Sequence, residues 1–384
     1  MAVKFDRSEI AGAVADLGVF VPIAVALIVR NGLSATAVLL PAGLLYIAAA
    51  LIYQLPVPVQ PLKAFGAIAI AKGLGSNEIA AGALLMGAVF LVAGRLGLLD
   101  VLARVFPRAL VRGVQLTVGL LFLKIAWGLV SEPPKSFADY ALGARWAIPL
   151  GLLALALAFT LKRYGISLVL VGAGIVVALA LAGGHLSLGP SHVVFPSLDG
   201  GVLLTALTVL VLPQAPLSFA NSCLATSDAA RVYFGERGER VRPGRLATSF
   251  GTANLLAGAL SGMPVCHGAG GMTAHYKFGA RTAGAPLVMG GALVVLAVGF
   301  GAGLAGVLPA FPLPVLAGLL ASAGLLHIAL MRDLRGSRDW ALALLVGVIG
   351  FELNLLWALA AGLAAWWIPY GVGRLHERLA TAPG

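Results

Sequence analysis

Leu55-Pro56-Val57-Pro58-Val59-Gln60-Pro61-Leu62-Lys63-Ala64-Phe65-Gly66 and, in the second half of the chain, Met263-Pro264-Val265-Cys266-His267-Gly268-Ala269-Gly270-Gly271-Met272-Thr273 are two apolar stretches that cannot be continuous helix. Alternating prolines forbid helix from Pro56 to Val59, whereas Pro61 suits a first helical position, where its fixed φ fits and its missing N–H is not needed. In the second stretch, three glycines after His267 permit tight turns and close approach of a ligand before a helix resumes near Met272. The expectation is two helix N-termini facing each other at mid-depth of a bilayer. Each offers unpaired N–H groups and a partial positive charge, and together they make an anion site where lipid supplies no competing water.

The surrounding chain supports a lipid setting. Of 384 residues, 60% are apolar and only 11% charged, and the mean hydropathy is +0.99, which excludes a soluble enzyme of two or three domains. At about 20 residues per span, the chain divides into fourteen candidate transmembrane segments, and the two broken stretches fall in the third (56–72) and tenth (263–278). The first apolar stretch, Ile10 to Val29, lacks a small-residue cleavage site and exceeds a signal-peptide core, so it reads as the first span. The formal charge of +11 does not indicate nucleic acid, because the basic residues sit singly between apolar runs. With the N-terminus inside, 20 of the 26 Lys and Arg residues fall at inner ends and loops, while Arg30, Lys72, Lys135 and Arg145 fall outside. That asymmetry supports an even span count, both termini cytoplasmic and a cell (inner) membrane location. The charged stretch Ala225 to Arg242 reads as a connecting loop between halves. Cys223 and Cys266 form neither a disulfide framework nor a metal-ligand spacing. Paired carboxylates and a nucleophile with its base are also missing from the sequence, so neither a cofactor nor an enzymatic activity is expected.

The halves are related. Leu84-Leu85-Met86-Gly87 resembles Leu287-Val288-Met289-Gly290 at an offset of 203, and Phe106-Pro107, Gly113, Gly119, Leu120 and Leu121 match Phe311-Pro312, Gly318, Gly324, Leu325 and Leu326 at 205. Arg108 and Arg112 lie at the start of one copy, whereas Arg332 and Arg335 lie at the end of the other, so the copies cross in opposite senses. A seven-plus-seven inverted repeat follows, residues 1–182 and 183–384, with a binding site near the midplane.

Around the breaks lie the candidate site residues. Lys63 at mid-membrane costs about 2.5 to 3.5 kcal/mol and needs a compensating partner: a dianion, a permanent pairing with Asp16, or the interface by snorkelling. Gln60, at the expected N-cap, either donates its amide to a ligand or caps the helix. His267 is either a pH-sensitive group or a structural one, and Cys266 beside it points the other way if the chain is extended. Gly268 and Gly270 admit the ligand to backbone N–H groups. Gln214, Ser218 and Asn221 recur at helical spacing in the eighth span, as ligand donors or as helix-to-helix glue.

The two long motifs, followed by Tyr276-Lys277-Phe278-Gly279-Ala280-Arg281-Thr282 and joined by Asp16-Leu17-Gly18, Arg112-Gly113-Val114-Gln115 and Pro213-Gln214-Ala215-Pro216, resemble the signatures of the molybdate transporters related to sulfate permeases. The resemblance implies high-affinity molybdate uptake by an all-α polytopic membrane protein. In that fold a core domain (spans 1–4 and 8–11), carrying the broken helices 3 and 10, moves against a gate domain (spans 5–7 and 12–14). It also implies a homodimer, and no appended STAS domain is expected. The resulting expectation is a secondary active transporter that imports molybdate by alternating access, with tungstate or sulfate as competing oxyanions and a coupled proton or cation. Asp16 and His267 are the candidate couplers. A sulfate carrier and a passive anion channel are the alternatives.

Overall fold

The computed structural model describes residues 3–15, 17–99, 106–160, 166–183 and 187–380, with side chains described as far as residue 368. The described residues are overwhelmingly helical. The first half contains α1 (Arg7–Ala13), α2 (Leu17–Val29), α3 (Ala35–Tyr53), the short strand β1 (Gln60–Pro61), α4 (Lys63–Lys72), α5 (Ser76–Leu96), α6 (Arg108–Ser131), α7 (Ala144–Thr160) and α8 (Ile166–Leu181). The second half begins with the long helix α9 (Gly200–Arg240). It continues with α10 (Pro243–Ala259), β2 (Val265–Cys266), α11 (Ala269–Lys277), α12 (Gly284–Gly299), α13 (Gly301–Val307), α14 (Leu313–Ala329), α15 (Ser337–Glu352) and α16 (Leu355–Ala380).

Five helical stretches among the described residues are long and apolar enough to cross a membrane: α3, α5, α6, α9 and Leu313–Asp333. The count rises to seven if α1 with α2 and α12 with Gly301–Ala310 each form one bent span. Shorter apolar helices are α7, α8 and Leu355–Ile368. This is the composition of a multi-pass membrane protein, because a helix satisfies its backbone internally where water is absent.

Helix association rests on small residues. In α5 and α10, glycines seven residues apart meet in antiparallel order: a Cβ on Gly94 would lie 2.7 Å from the Gly244 carbonyl, one on Gly87 2.9 Å from the Gly251 carbonyl, and one on Gly258 2.8 Å from the Ala80 carbonyl. Backbones this close gain dispersion contacts that lipid cannot match. Gly43 and Gly290 do the same between α3 and α12, and Gly119 and Gly324 between α6 and α14, where a Cβ on each glycine would lie under 3 Å from the other's carbonyl. At one end of the bundle the buried Glu9 carboxylate accepts the N–H groups of Arg281 and Thr282 at 2.8 Å and of Ala285 at 3.0 Å, tying α1 to the start of α12. A carboxylate there matches the positive helix end.

Three sequence expectations are corrected. The helix after the prolines begins at Lys63 with Leu62 as N-cap. Pro61 is therefore not its first residue, and Gln60 is not its cap, because both lie in β1 and pair with β2. The second resumes at Ala269, three residues before Met272, since Gly268 already takes the extended N-cap conformation with ψ 136°. The stretch from Ala225 to Arg242 is no loop: α9 continues through Thr226–Phe234 and a tighter turn to Arg240. Thr226, Ser227 and Ala230 are buried and the Thr226 hydroxyl donates to the Asn221 carbonyl at 2.8 Å, so packing carries the helix through a polar stretch of weak helix propensity.

The α5–α10 crossing gives a prediction. Gly251→Leu overpacks it at a cost of about 1–3 kcal/mol and lowers the thermal unfolding midpoint of the detergent-solubilised protein. Gly291→Leu, with no atom within 4 Å of the added Cβ, leaves the midpoint near that of the parent. Equal midpoints for the two variants would show that the close approach is not what holds these helices.

Candidate functional site

The two non-helical stretches meet each other. Gln60 pairs with Cys266 and Pro61 with Val265 in an antiparallel ladder, and the Leu62 N–H donates to the Pro264 carbonyl at 3.1 Å. Prolines leave this backbone short of donors, so the remaining polar groups need outside partners. Asn254 of α10 supplies them. Its Nδ2 donates to the Val265 carbonyl at 2.9 Å, and its Oδ1 accepts the Val265 N–H at 2.7 Å.

His267 completes the crossing. Its Nδ1 lies 2.8 Å from the Pro58 carbonyl and its Nε2 lies 2.8 Å from Ser249 Oγ, which is also 2.8 Å from the Tyr53 hydroxyl. A carbonyl only accepts, so Nδ1 carries a proton and donates. Tyr53 and Phe250 stand edge-on to the ring. With 0% exposure and both nitrogens engaged, His267 faces away from open space and ties the first broken stretch to the second.

On the opposite side of the ladder lies a cavity of about 1160 Å³. Gln60, Lys63, Cys266, Gly270 and Gln214 line it, whereas His267, Gly268 and Ser218 do not. Lys63 Nζ, the first side chain of α4, donates to Gln60 Oε1 at 2.6 Å. The positive helix end and the ammonium therefore sit together. Gln214 braces that helix start. Its Oε1 accepts the Phe65 N–H at 2.9 Å, filling one donor of the first turn of α4, while its Nε2 donates to Ser218 Oγ at 2.9 Å. Ser218 thereby orients Gln214 from inside the helix packing. Gly268 is required sterically, because a Cβ there would collide with Gln60 Oε1 and stand 3.4 Å from Asn221 Nδ2, whereas one on Gly270 would meet nothing within 4 Å. Asp16 lies outside the described residues.

Further groups line the cavity, of which Ser222, Ser322 and His327 carry no mark of a site in the sequence. Asn221 and Ser222 come from a π-helical turn of α9, Ser218–Ala225, and its wider winding decides which side chains face the cavity; such turns recur at functional sites. Asn221 is visible as part of a polar stripe, but periodicity drawn at 3.6 residues cannot assign it a direction. Arg112 and Gln115 of α6 and Ser322 and His327 of α14 form the far wall. Arg112 donates to Gln115 Oε1 at 2.7 Å and, with Arg108, pairs with Asp333. The cavity continues past Arg108, Asp228 and Lys277. A concave space with two helix N-termini, an ammonium and amide donors at its head suits a small oxyanion. Among the described residues, no group of three or more His, Cys, Asp or Glu side chains is placed to hold a metal ion.

The family described as "Molybdate transporter of MFS superfamily" matches residues 8–122 and 206–326. Molybdate transporter 1 of Arabidopsis thaliana is 28% identical, the alignment covering 95% of this chain and 89% of the relative. Molybdate transporter 1 of Chlamydomonas reinhardtii is 28% identical, covering 90% and 88%. Among solved structures, the transmembrane domain of the cyanobacterial bicarbonate transporter BicA superposes with a TM-score of 0.62 at 18% identity, covering 94% of this chain and 96% of that one. The murine anion transporter Slc26a9 in its inward-facing state gives 0.68 at 14% identity, covering 97% and 69%. The structural likenesses establish the fold, and the family match over more than half of the sequence establishes that this chain is a member of the molybdate transporter family.

Proposed function

We propose that the chain is a secondary active transporter that imports molybdate across the cell membrane by alternating access, binding the anion between the N-termini of α4 and α11. One observation carries the reading: the β1–β2 ladder brings Lys63 and Gln60 beside Cys266 and Gly270 at the head of a cavity large enough for a hydrated oxyanion. The bound dianion takes over Lys63 from Gln60 Oε1 and accepts N–H groups from the two helix starts. The relatives named as molybdate transporters support molybdate as the anion.

The seven-plus-seven inverted repeat has support in the contacts. Gly119 faces Gly324, its counterpart 205 residues on, and Gln60 pairs with Cys266, 206 residues on. Contact between matching positions is what an axis relating two inverted copies produces. The cavity wall is shared: α4, α9 and α11 contribute from the proposed core, and α6, α7, α8 and α14 from the proposed gate. Its continuation toward Arg108 and Lys277 suits an inward-open arrangement with both termini cytoplasmic. Import of a dianion against an inside-negative potential costs about 2.3 kcal/mol per charge per 100 mV, so a coupled cation is part of the reading.

Binding titrations test the site. Lys63→Ala and Gln60→Ala each weaken molybdate binding by about 10- to 100-fold, the range for lost hydrogen bonds to a charged partner. Parental affinity in both variants would remove the anion from this position. Gly268→Val abolishes uptake into proteoliposomes while the protein still elutes as a single folded species, because the added side chain displaces Gln60. Competition by tungstate at lower concentration than sulfate is the outcome expected of a molybdate carrier, and the reverse order would reassign the substrate to sulfate.

A further inference from the structure

We propose that His327 is the proton-binding group linked to anion binding, an assignment that rests on the transport reading above. α14 and its C-cap present Leu319, Ser322, Ala323, Leu326, His327 and Leu330 to the cavity, a stripe at spacings of three and one that follows one helix face. His327 is the titratable member of that stripe. Its Nδ1 lies 2.9 Å from the Ala323 carbonyl one turn back. The carbonyl can only accept, so the single proton of the neutral ring resides on Nδ1 and Nε2 holds the lone pair. Phe122 stands edge-on at 5.9 Å and fixes the ring plane. Nε2 has no hydrogen-bond partner among the described residues, so a second proton has one place to go.

The charged surroundings set the sign. Lys63 of α4 and His327 line the same cavity. From α6, Arg108 and Arg112 face the cavity, and both are paired with Asp333 just beyond the end of α14. Lys124 of α6 lies over Phe351 and Arg145 of α7 over Trp146, neither of them cavity residues. The walls contributed by α2, α7 and α8 are Gly18, Val19, Ala158 and Ser167. Cys266 lies at the head of the cavity, with Asp228 and Lys277 further out. Two cations on the walls of one cavity repel, and a dianion between them reverses that balance. Bound molybdate therefore favours the proton on Nε2, and by reciprocity the proton favours molybdate. The arrangement differs from His267, whose two nitrogens are already engaged.

The test is calorimetric titration of the full chain in lipid nanodiscs with sodium molybdate, at about pH 6 and about pH 8, in buffers of different ionisation enthalpy. The parent takes up a proton fraction approaching one per anion bound, and its Kd rises by up to about tenfold per pH unit. In His327→Gln the uptake vanishes and Kd becomes independent of pH. His192→Gln, on an exposed loop, retains both behaviours. Undiminished uptake in His327→Gln overturns the assignment, as does binding without proton uptake by the parent, a result that needs no variant to fold. Absence of molybdate binding by the parent at both pH values instead overturns the transport reading, and this assignment with it.

Discussion

The constraint behind the whole structure is that a backbone polar group inside a bilayer must find its partner within the protein. Pro56, Pro58 and Pro61 leave their stretch without helical hydrogen bonds, and β2 supplies partners by laying a second non-helical stretch alongside. Asn254 and His267 complete the repair from α10 and from the ladder itself. The chemistry of the site follows from this repair. Once the ladder is closed, two helices begin on the same side of it and their free N–H groups have a cavity to face.

Tight helix crossings keep the repair in place. Gly87, Gly94, Gly251 and Gly258 let α5 and α10 approach until backbone touches backbone, and α10 is the helix that carries Ser249 and Asn254 to the ladder. Packing of small residues thus positions the polar anchors, and the anchors position Lys63 and Gln60. Across the cavity, Gly119 and Gly324 hold α6 against α14 and set the distance of the opposite wall. A change at these glycines reaches the site without touching it.

Much of this is legible in the residues. The helical, membrane-embedded class follows from composition, and family membership follows from motifs that the comparisons match. Prolines and glycines are readable because their backbone restrictions are intrinsic. Partnership is harder to read. Nothing in the spacing of Val265-Cys266-His267 says that the histidine turns toward Pro58 while the cysteine turns toward the cavity, because that choice depends on the register against β1. Gln214 reads equally as a donor to ligand or as helix glue, and only the fold shows its amide nitrogen committed to Ser218 and its oxygen to the Phe65 N–H. The π-helical turn at Ser218–Ala225 shifts side chains by an amount that a regular helical projection cannot foresee. His327 lies in an apolar run without polar neighbours in sequence, and only folding places it in the cavity that Lys63 also lines.

The ladder also has a consequence for synthesis. Residues 55–62 are made early, but their hydrogen-bonding partners at 263–267 emerge about two hundred residues later, many helices further along. Until then the nascent first half carries an unclosed seam. It has to be shielded at the insertion machinery or by water drawn into the membrane until β2 is made and the strand that waited for it can close.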